Sequence, residues 1–372
     1  MSRPAKAIIK LDALRANYQL AKDLTQGQVV AVVKADAYSH GAIQCAQALS
    51  RQADAFAVAC IEEALELRKN GINHPIVILE GFFEPAEVDQ IQYYQLDSVI
   101  HCHEQLAILE RSRLTHPIRA WLKMDSGMGR VGFMPHEYRQ VWQRLNAIEK
   151  VKDIVLMTHL ACADEVGIRH TVEQLEVFEK ATLGLPGERS IANSAGIVAF
   201  PRAHSQWNRP GLMLYGVSPF PNSHAIEQRL KPVMELRSRI ISIKDIAVGS
   251  SVGYGSNWVA SRATRLGIVA IGYGDGYPRH AKNNTPVWIN GQRVPLVGRV
   301  SMDMITVDLT DLDNPCVGDG VVLWGEPLPI EEIARCADTI PHQLLCNLNR
   351  VPVAYSSVAH IQGTEDPVSE SA

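Results

Sequence analysis

Apolar and polar positions change their rhythm once along this chain, near residue 232. Before that point short apolar runs recur, predicting strands near 29–34, 54–59, 76–80, 97–101, 118–123, 154–159, 188–193 and 211–215. Between most of them lie stretches with apolar residues at helical spacing: Ile61 to Asn70, with Gly71 placed to end it, Glu104 to Leu114, Pro135 to Leu145 and Thr171 to Leu183. Eight strands alternating with helices predict a (β/α)8 TIM barrel. The competing arrangement is an open doubly wound sheet. No G-x-G-x-x-G follows the first strand, which weakens its dinucleotide-binding version.

Beyond residue 232 strand patterns follow one another without long helices: Leu236–Ile246, Arg265–Ile271, Thr285–Ile289, Arg293–Val297, Met304–Leu309 and Gly320–Leu323. Asn290-Gly291 between two of them is a hairpin signal. One helix is expected near Pro329–Ala337. The expected organisation is therefore a barrel over 1–232 and a mainly β domain over 233–372. The initial strand, near 5–10, precedes the barrel and is free to pair with the second domain. No internal repeat is present.

Length and composition narrow the function. A chain of 372 residues exceeds one ordinary core, in keeping with two domains. The net charge is −4 and no basic block occurs, which argues against nucleic acid and anionic membrane surfaces as partners. No apolar run approaches the roughly 20 residues needed to span a bilayer, and the first residues lack a signal-peptide apolar region, so a cytoplasmic location is expected. The seven cysteines (45, 60, 102, 162, 316, 336 and 346) are scattered with no C-x-x-C pair, which points to reduced thiols and away from a zinc site.

Candidate chemistry gathers where the predicted strands end. The run Val29 to Val33 closes on Lys34, followed by Ala35-Asp36-Ala37-Tyr38-Ser39-His40-Gly41. A lysine at the rim of a core either snorkels to water or, with a lowered pKa, attacks a carbonyl to form a Schiff base. Strand five ends in Lys123, followed by a turn reaching Arg130. Strand six ends in Thr158-His159 and strand seven in Asn193-Ser194. Arg209-Pro210-Gly211 lies at strand eight. Function in such barrels sits at the carboxyl ends of the strands, and a phosphate is commonly held after strands seven and eight. Ser194 opens what reads as a helix start, and Gly211 would let backbone approach an anion closely. A reactive lysine, a phosphate cradle and a cationic lining together suggest pyridoxal 5′-phosphate.

These residues resemble the alanine racemase family, from about Ala5 to Tyr355. Val32-Val33-Lys34-Ala35-Asp36-Ala37-Tyr38-Ser39-His40-Gly41 is similar to that family's cofactor-lysine motif, with Ser39 where Gly is usual. The resemblance implies a barrel followed by a β domain, and a homodimer whose active sites draw on both chains. It implies that Lys34 holds the cofactor and is the base on one face of the substrate α-carbon. Tyr254 of the partner would be the opposite base. Arg209 would face the pyridine nitrogen, hydrogen-bonded by His159, and Arg130 would contact the phenolic oxygen. Lys123 would support Arg130, carbamylated as in many members. Tyr38, Ser194 and Gly211 would contact phosphate, with Asn193 beside them. Met302 and Asp303 of the partner would lie near the substrate carboxylate, together with Arg130. Tyr273 and Arg279 would line the substrate access corridor, and Asn349 the pocket. The implied reaction interconverts L- and D-alanine, supplying D-alanine as a peptidoglycan precursor or consuming it. The alternatives are an alanine/serine racemase, a barrel-type decarboxylase, for which a carboxylate instead of Arg209 is expected, and a non-catalytic cofactor binder.

Overall fold

The computed structural model describes residues 3–356, so the part of the second-domain expectation beyond residue 356 lies outside the described residues. The chain divides into two compact units. One is Arg15–Lys231; the other combines residues up to Leu14 with those from Pro232 onward.

The first strand, β1 (Lys6–Lys10), belongs to the second of these units. It pairs antiparallel with the long strand Met234–Ile246 and parallel with Val353–Ser356. Met234–Ile246 also pairs with Gly320–Trp324 and Thr264–Val269, and Thr264–Val269 with Ile305–Asp308. Gly320–Trp324 pairs with Pro286–Ile289, which forms a hairpin with Gln292–Pro295. Asn290 and Gly291 turn that hairpin at φ of 47° and 81°, the left-handed pair that fits the twist of a tight antiparallel turn. A small core of Val252, Leu266 and Val297, flanked by Ile246 and Trp258, supports a two-stranded ribbon, Ser251–Val252 with Trp258–Val259.

The other unit is a closed parallel barrel. Its strands are β2 (Gln28–Val32), β3 (Ala55–Val58), β4 (Ile76–Ile78), β5 (Asp97–Ile100), β6 (Ile118–Lys123), β7 (Val151–Met157), β8 (Arg189–Ser190) and β9 (Trp207–Asn208), and β9 pairs back onto β2. The strands are almost wholly buried, as expected where helices cover the outside and side chains fill the inside. The helix Ile61–Lys69 ends as expected: Gly71 takes φ 83° and Ile72 N–H returns to the Leu67 carbonyl.

Two strand positions differ from the sequence reading. The eighth strand is Trp207–Asn208, and Leu212–Tyr215 is a 3₁₀ turn. All four residues of that turn are buried, and a short apolar run buried on every side carries no period that separates strand from helix. The seventh strand is Arg189–Ser190 alone. Sequence reading also missed the short helix Pro341–Cys346 and the strand Val353–Ser356.

Candidate active site

Lys34 emerges half-buried at the carboxyl end of β2 and begins an unusual turn. Ala35, Asp36, Ala37, Tyr38 and Ser39 all have φ between 50° and 60°, a left-handed turn built without glycine. Such a conformation costs about 1–2 kcal/mol per residue, so the surroundings must hold it. The His40 ring, fully buried, donates from Nδ1 to the carbonyls of Ala37 (2.9 Å) and Tyr38 (2.8 Å). Its ring stacks near Tyr215 (4.5 Å), which also stacks with Tyr38 (4.6 Å) and donates its hydroxyl to the Val32 carbonyl (2.8 Å). Burial holds the His40 imidazole down at about 4, against the pull of those two carbonyls, so it is neutral. The Asp36 carboxylate accepts from Ala42 N–H (2.7 Å). Ser39 therefore occupies a backbone region that glycine enters without penalty.

A group of cations shares this end of the barrel. Lys123, at the end of β6, is buried, and its pKa falls to about 8; burial is the main cause, followed by the charges of Arg209, Arg130 and Lys34, with Asp125 opposing. The His159 imidazole, after β7, is held well below its ordinary value by burial and then by Arg209, Lys123, Arg130 and Lys34. Lys123 and His159 thus both sit in the field of Lys34, Arg130 and Arg209. Arg209, just past β9, is buried and lowered to about 10 by that burial, so it remains a cation at neutral pH. Its guanidinium donates to the Ser190 hydroxyl, the Thr158 carbonyl (2.8 Å) and the Ile191 carbonyl (3.3 Å). The expected hydrogen bond from His159 to Arg209 is not among these: the terminal nitrogens of the guanidinium go to main-chain carbonyls of two neighbouring strand ends and to a serine.

The turn after β6 is organised by one carboxylate. Asp125 accepts from the backbone N–H groups of Gly127 (2.9 Å), Met128 (2.8 Å), Gly129 (3.1 Å) and Arg130 (3.1 Å). Burial pushes its carboxyl up, but these four bonds outweigh it and hold the pKa below the usual range. The Arg130 side chain itself is exposed.

After β8, Asn193 caps the helix Ser194–Ala199, its side-chain oxygen accepting from Gly196 N–H (2.9 Å). Ser194 Oγ accepts from the N–H groups of Gly211 (2.9 Å) and Met213 (3.3 Å), joining the segments after β8 and β9. A Cβ at Gly211 would come within 2.8 Å of the Tyr38 hydroxyl. Glycine there keeps the space beside that hydroxyl open.

The remaining expected residues lie on the second unit. Tyr254 is 65% exposed, in a turn where Gly253 and Gly255 take φ of 75° and 72°. Side chains at those glycines would press on Arg299. Met302 is 52% exposed, and its backbone is held to the Gly272–Gly276 turn: Tyr273 N–H donates to the Ser301 carbonyl (3.0 Å) and Gly274 N–H to the Met302 carbonyl (2.8 Å). Any side chain at Gly272 would collide with both carbonyls. The Arg279 guanidinium lies 5.9 Å from the centre of the Tyr273 ring. Asp275, fully buried, pairs with Arg3 and with Arg350 (3.3 Å), and Arg350 pairs with Asp303 (2.8 Å). Asn349 is exposed; its backbone N–H goes to the Asp275 carbonyl (3.1 Å) and its side chain to the Asn347 carbonyl (3.3 Å). Sequence reading gave no role to the residues that hold others in place: His40, Asp125, Ser190, Asp275, Arg3 and Arg350. Only Asp125 had a local signal, an aspartate opening Asp-Ser-Gly-Met-Gly, where side-chain-to-backbone turns are common.

Two family models match the chain. "Alanine racemase, N-terminal domain" covers residues 9–219 and "Alanine racemase, C-terminal domain" residues 233–355. The chain is 51% identical to a catabolic alanine racemase of Pseudomonas aeruginosa, over 95% of this chain and 99% of that one. A solved structure of biosynthetic alanine racemase from Pseudomonas aeruginosa superposes with a TM-score of 0.93 at 47% identity, covering 95% of this chain and 99% of the other. Alanine racemase from Bartonella henselae, solved with covalently bound pyridoxal phosphate, superposes at 0.87 with 32% identity over 95% and 99% of the two chains. Matched along both units by models and relatives that agree, the chain belongs to the alanine racemase family.

Proposed function

We propose that the chain interconverts L- and D-alanine by proton transfer at two faces of the substrate α-carbon, one served by Lys34 and the other by Tyr254 of a second copy. The chain is an isomerase that uses pyridoxal 5′-phosphate. The observation that carries the reading is the meeting of Lys34, Lys123, Arg130, His159 and Arg209 in one field at the barrel's carboxyl end. The residues there fit the cofactor. Ser194 ties together the segments on which a phosphate would rest, and Gly211 leaves open the space beside the Tyr38 hydroxyl that a Cβ would fill.

When bound, the cofactor supplies an electron sink that makes the α-proton of an amino acid acidic. Lys34 is the amine that would hold it. Tyr38, Ser194 and the Gly211 backbone would hold its phosphate, with Asn193 fixing the helix start. Arg209 keeps its own protons at neutral pH and so would leave the facing ring nitrogen unprotonated, which moderates the sink and favours reprotonation over side reactions. A decarboxylase gains from the opposite arrangement. His159, half-buried and neutral in the field of these cations, adds no charge to this end of the barrel.

Lys34 and Tyr254 would take and return the α-proton on opposite faces, which a racemase requires. Arg130, Met302 and Asp303 would receive the substrate carboxylate and the cofactor's phenolic oxygen, and Tyr273 and Arg279 would line the access corridor. The exposure of Tyr254 and Met302 on one small unit supports a homodimer in which each copy completes the other's site. The four cations Lys34, Lys123, Arg130 and Arg209 have Asp125 as the carboxylate acting on Lys123. A carbamate on Lys123 would offset that excess, and its lowered pKa makes the neutral amine accessible. Enantiomers have equal free energy, so the same site supplies D-alanine or consumes it.

The test is chiral analysis after incubation with L-alanine, L-serine and L-lysine. D-alanine is expected as the fastest-formed product. D-serine at a matching rate would establish the broader racemase, and carbon dioxide without a D-enantiomer would overturn the reading.

A further inference from the structure

The residue after Lys34 is tied to the next strand by a side chain that neither the family resemblance nor the mechanism above uses. The last backbone bond between β2 and β3 at this end runs from Val33 N–H to the Ala57 carbonyl (2.8 Å). Beyond it each strand presents a further N–H, from Ala35 and from Ala59. Both are taken by Glu63, in the first turn of the helix Ile61–Lys69: Oε1 accepts from Ala35 N–H (2.7 Å) and Oε2 from Ala59 N–H (2.7 Å). One carboxylate thus continues the ladder past its end and bridges two strand ends. A carboxylate offers an acceptor at each oxygen, whereas the amide of glutamine offers one acceptor and a donor. The chemistry therefore calls for a glutamate.

The structure assigns Glu63 the role of a positioning residue for Lys34: it clamps the first residue of the left-handed turn to the neighbouring strand and so fixes the direction in which the Lys34 amine leaves the barrel. Ala35 carries φ 52°, a conformation that relaxes unless its surroundings over-determine it. His40 and Asp36 restrain the far end of the turn; Glu63 restrains the end at the lysine. The inference rests on the reading of Lys34 as the cofactor-bearing amine.

The test compares Glu63→Gln and Glu63→Asp with the unaltered full chain. In Glu63→Gln, amide hydrogen exchange at Ala35 and Ala59 should quicken by about tenfold or more, with Val30 and Val32 unchanged. The kcat for alanine should fall by about tenfold or more with KM moved less than about twofold, and Glu63→Asp, which keeps both acceptors, should recover part of that loss. Unchanged exchange at Ala35 and Ala59 would overturn the clamp. Faster exchange there with wild-type kcat would overturn the positioning role, as would a loss of kcat accompanied by faster exchange throughout the barrel. Borohydride fixation of added pyridoxal phosphate to another lysine would instead sink the reading of Lys34. The exchange comparison is made without cofactor, so the two failures are distinguishable.

Discussion

The two units carry their functional residues in opposite ways. At the barrel end Lys34, Lys123, His159 and Arg209 are half-buried or buried, burial and the neighbouring cations lower the pKa values of Lys123 and His159, and the Lys34 turn is held in a costly backbone conformation by hydrogen bonds from several sides. On the second unit Tyr254 and Met302 face solvent, and the surrounding backbone is shaped by glycines and a buried aspartate between two arginines. The first is a preorganised, cation-rich end of a barrel. The second is a presented surface whose chemistry has no burial to tune it. A catalytic tyrosine in that setting acts only when something covers it, and in the proposed dimer that cover is the barrel end of the other copy.

The comparison breaks most sharply at Tyr254. Tyr254→Phe should lower α-proton abstraction by about 10²–10⁴-fold for one enantiomer and far less for the other, read as solvent deuterium incorporation from L- and from D-alanine. Equal losses would contradict two bases on two faces. Next comes the buried aspartate. Asp275→Asn should cost the second unit about 2–3 kcal/mol, because Arg3 and Arg350 lose a carboxylate at a fully buried position while retaining partial access to water. It should also raise KM for alanine through the Ser301–Asp303 segment, leaving the barrel's amide protection intact.

The barrel end should respond to acid. The folded-state pKa of His40, about 4, lies below its ordinary value of 6.5. The stability it contributes is therefore complete above about pH 6.5 and is lost as pH falls through the window down to 4, about 3 kcal/mol in all. Asp97, raised to about 6 chiefly by burial, acts in the opposite sense over part of that range. The effect is isolated by comparing the pH dependence of melting in wild type and His40→Gln, where the slope between pH 6.5 and 4 should shrink. The smallest effect concerns Ser39. Ser39→Gly, at φ 60°, should stabilise the barrel by about 1 kcal/mol, seen as a melting temperature a few degrees higher; a lower one would contradict the strain assigned to the turn.

The barrel was readable from its rhythm because buried parallel strands are nearly continuous apolar runs, as in Val29–Val33 and Ile76–Ile78. Reading stopped where burial became complete on all sides, so Leu212–Tyr215 passed for a strand. The pocket residues were legible because Lys34, Lys123, His159 and Arg209 all fall at strand ends, a position periodicity can find. Their supports were not. Glu63, Ser190 and Asp275 act through bonds to residues remote in the chain or to backbone atoms, and nothing in the local pattern distinguishes them from a helix-face glutamate, a core serine or a turn aspartate. The left-handed turn was equally hidden, since Ala35 to Tyr38 include no residue that favours positive φ strongly.

The most direct test of the shared site is subunit complementation. Lys34→Ala and Tyr254→Phe chains, each unable to racemise alanine, are unfolded together and refolded as a mixture. If each site takes its lysine from one copy and its tyrosine from the other, mixed dimers hold one intact site of two, and racemisation should return to about a quarter of the wild-type rate. Activity no greater than the sum of the separate variants, with mixed dimers present, would contradict it.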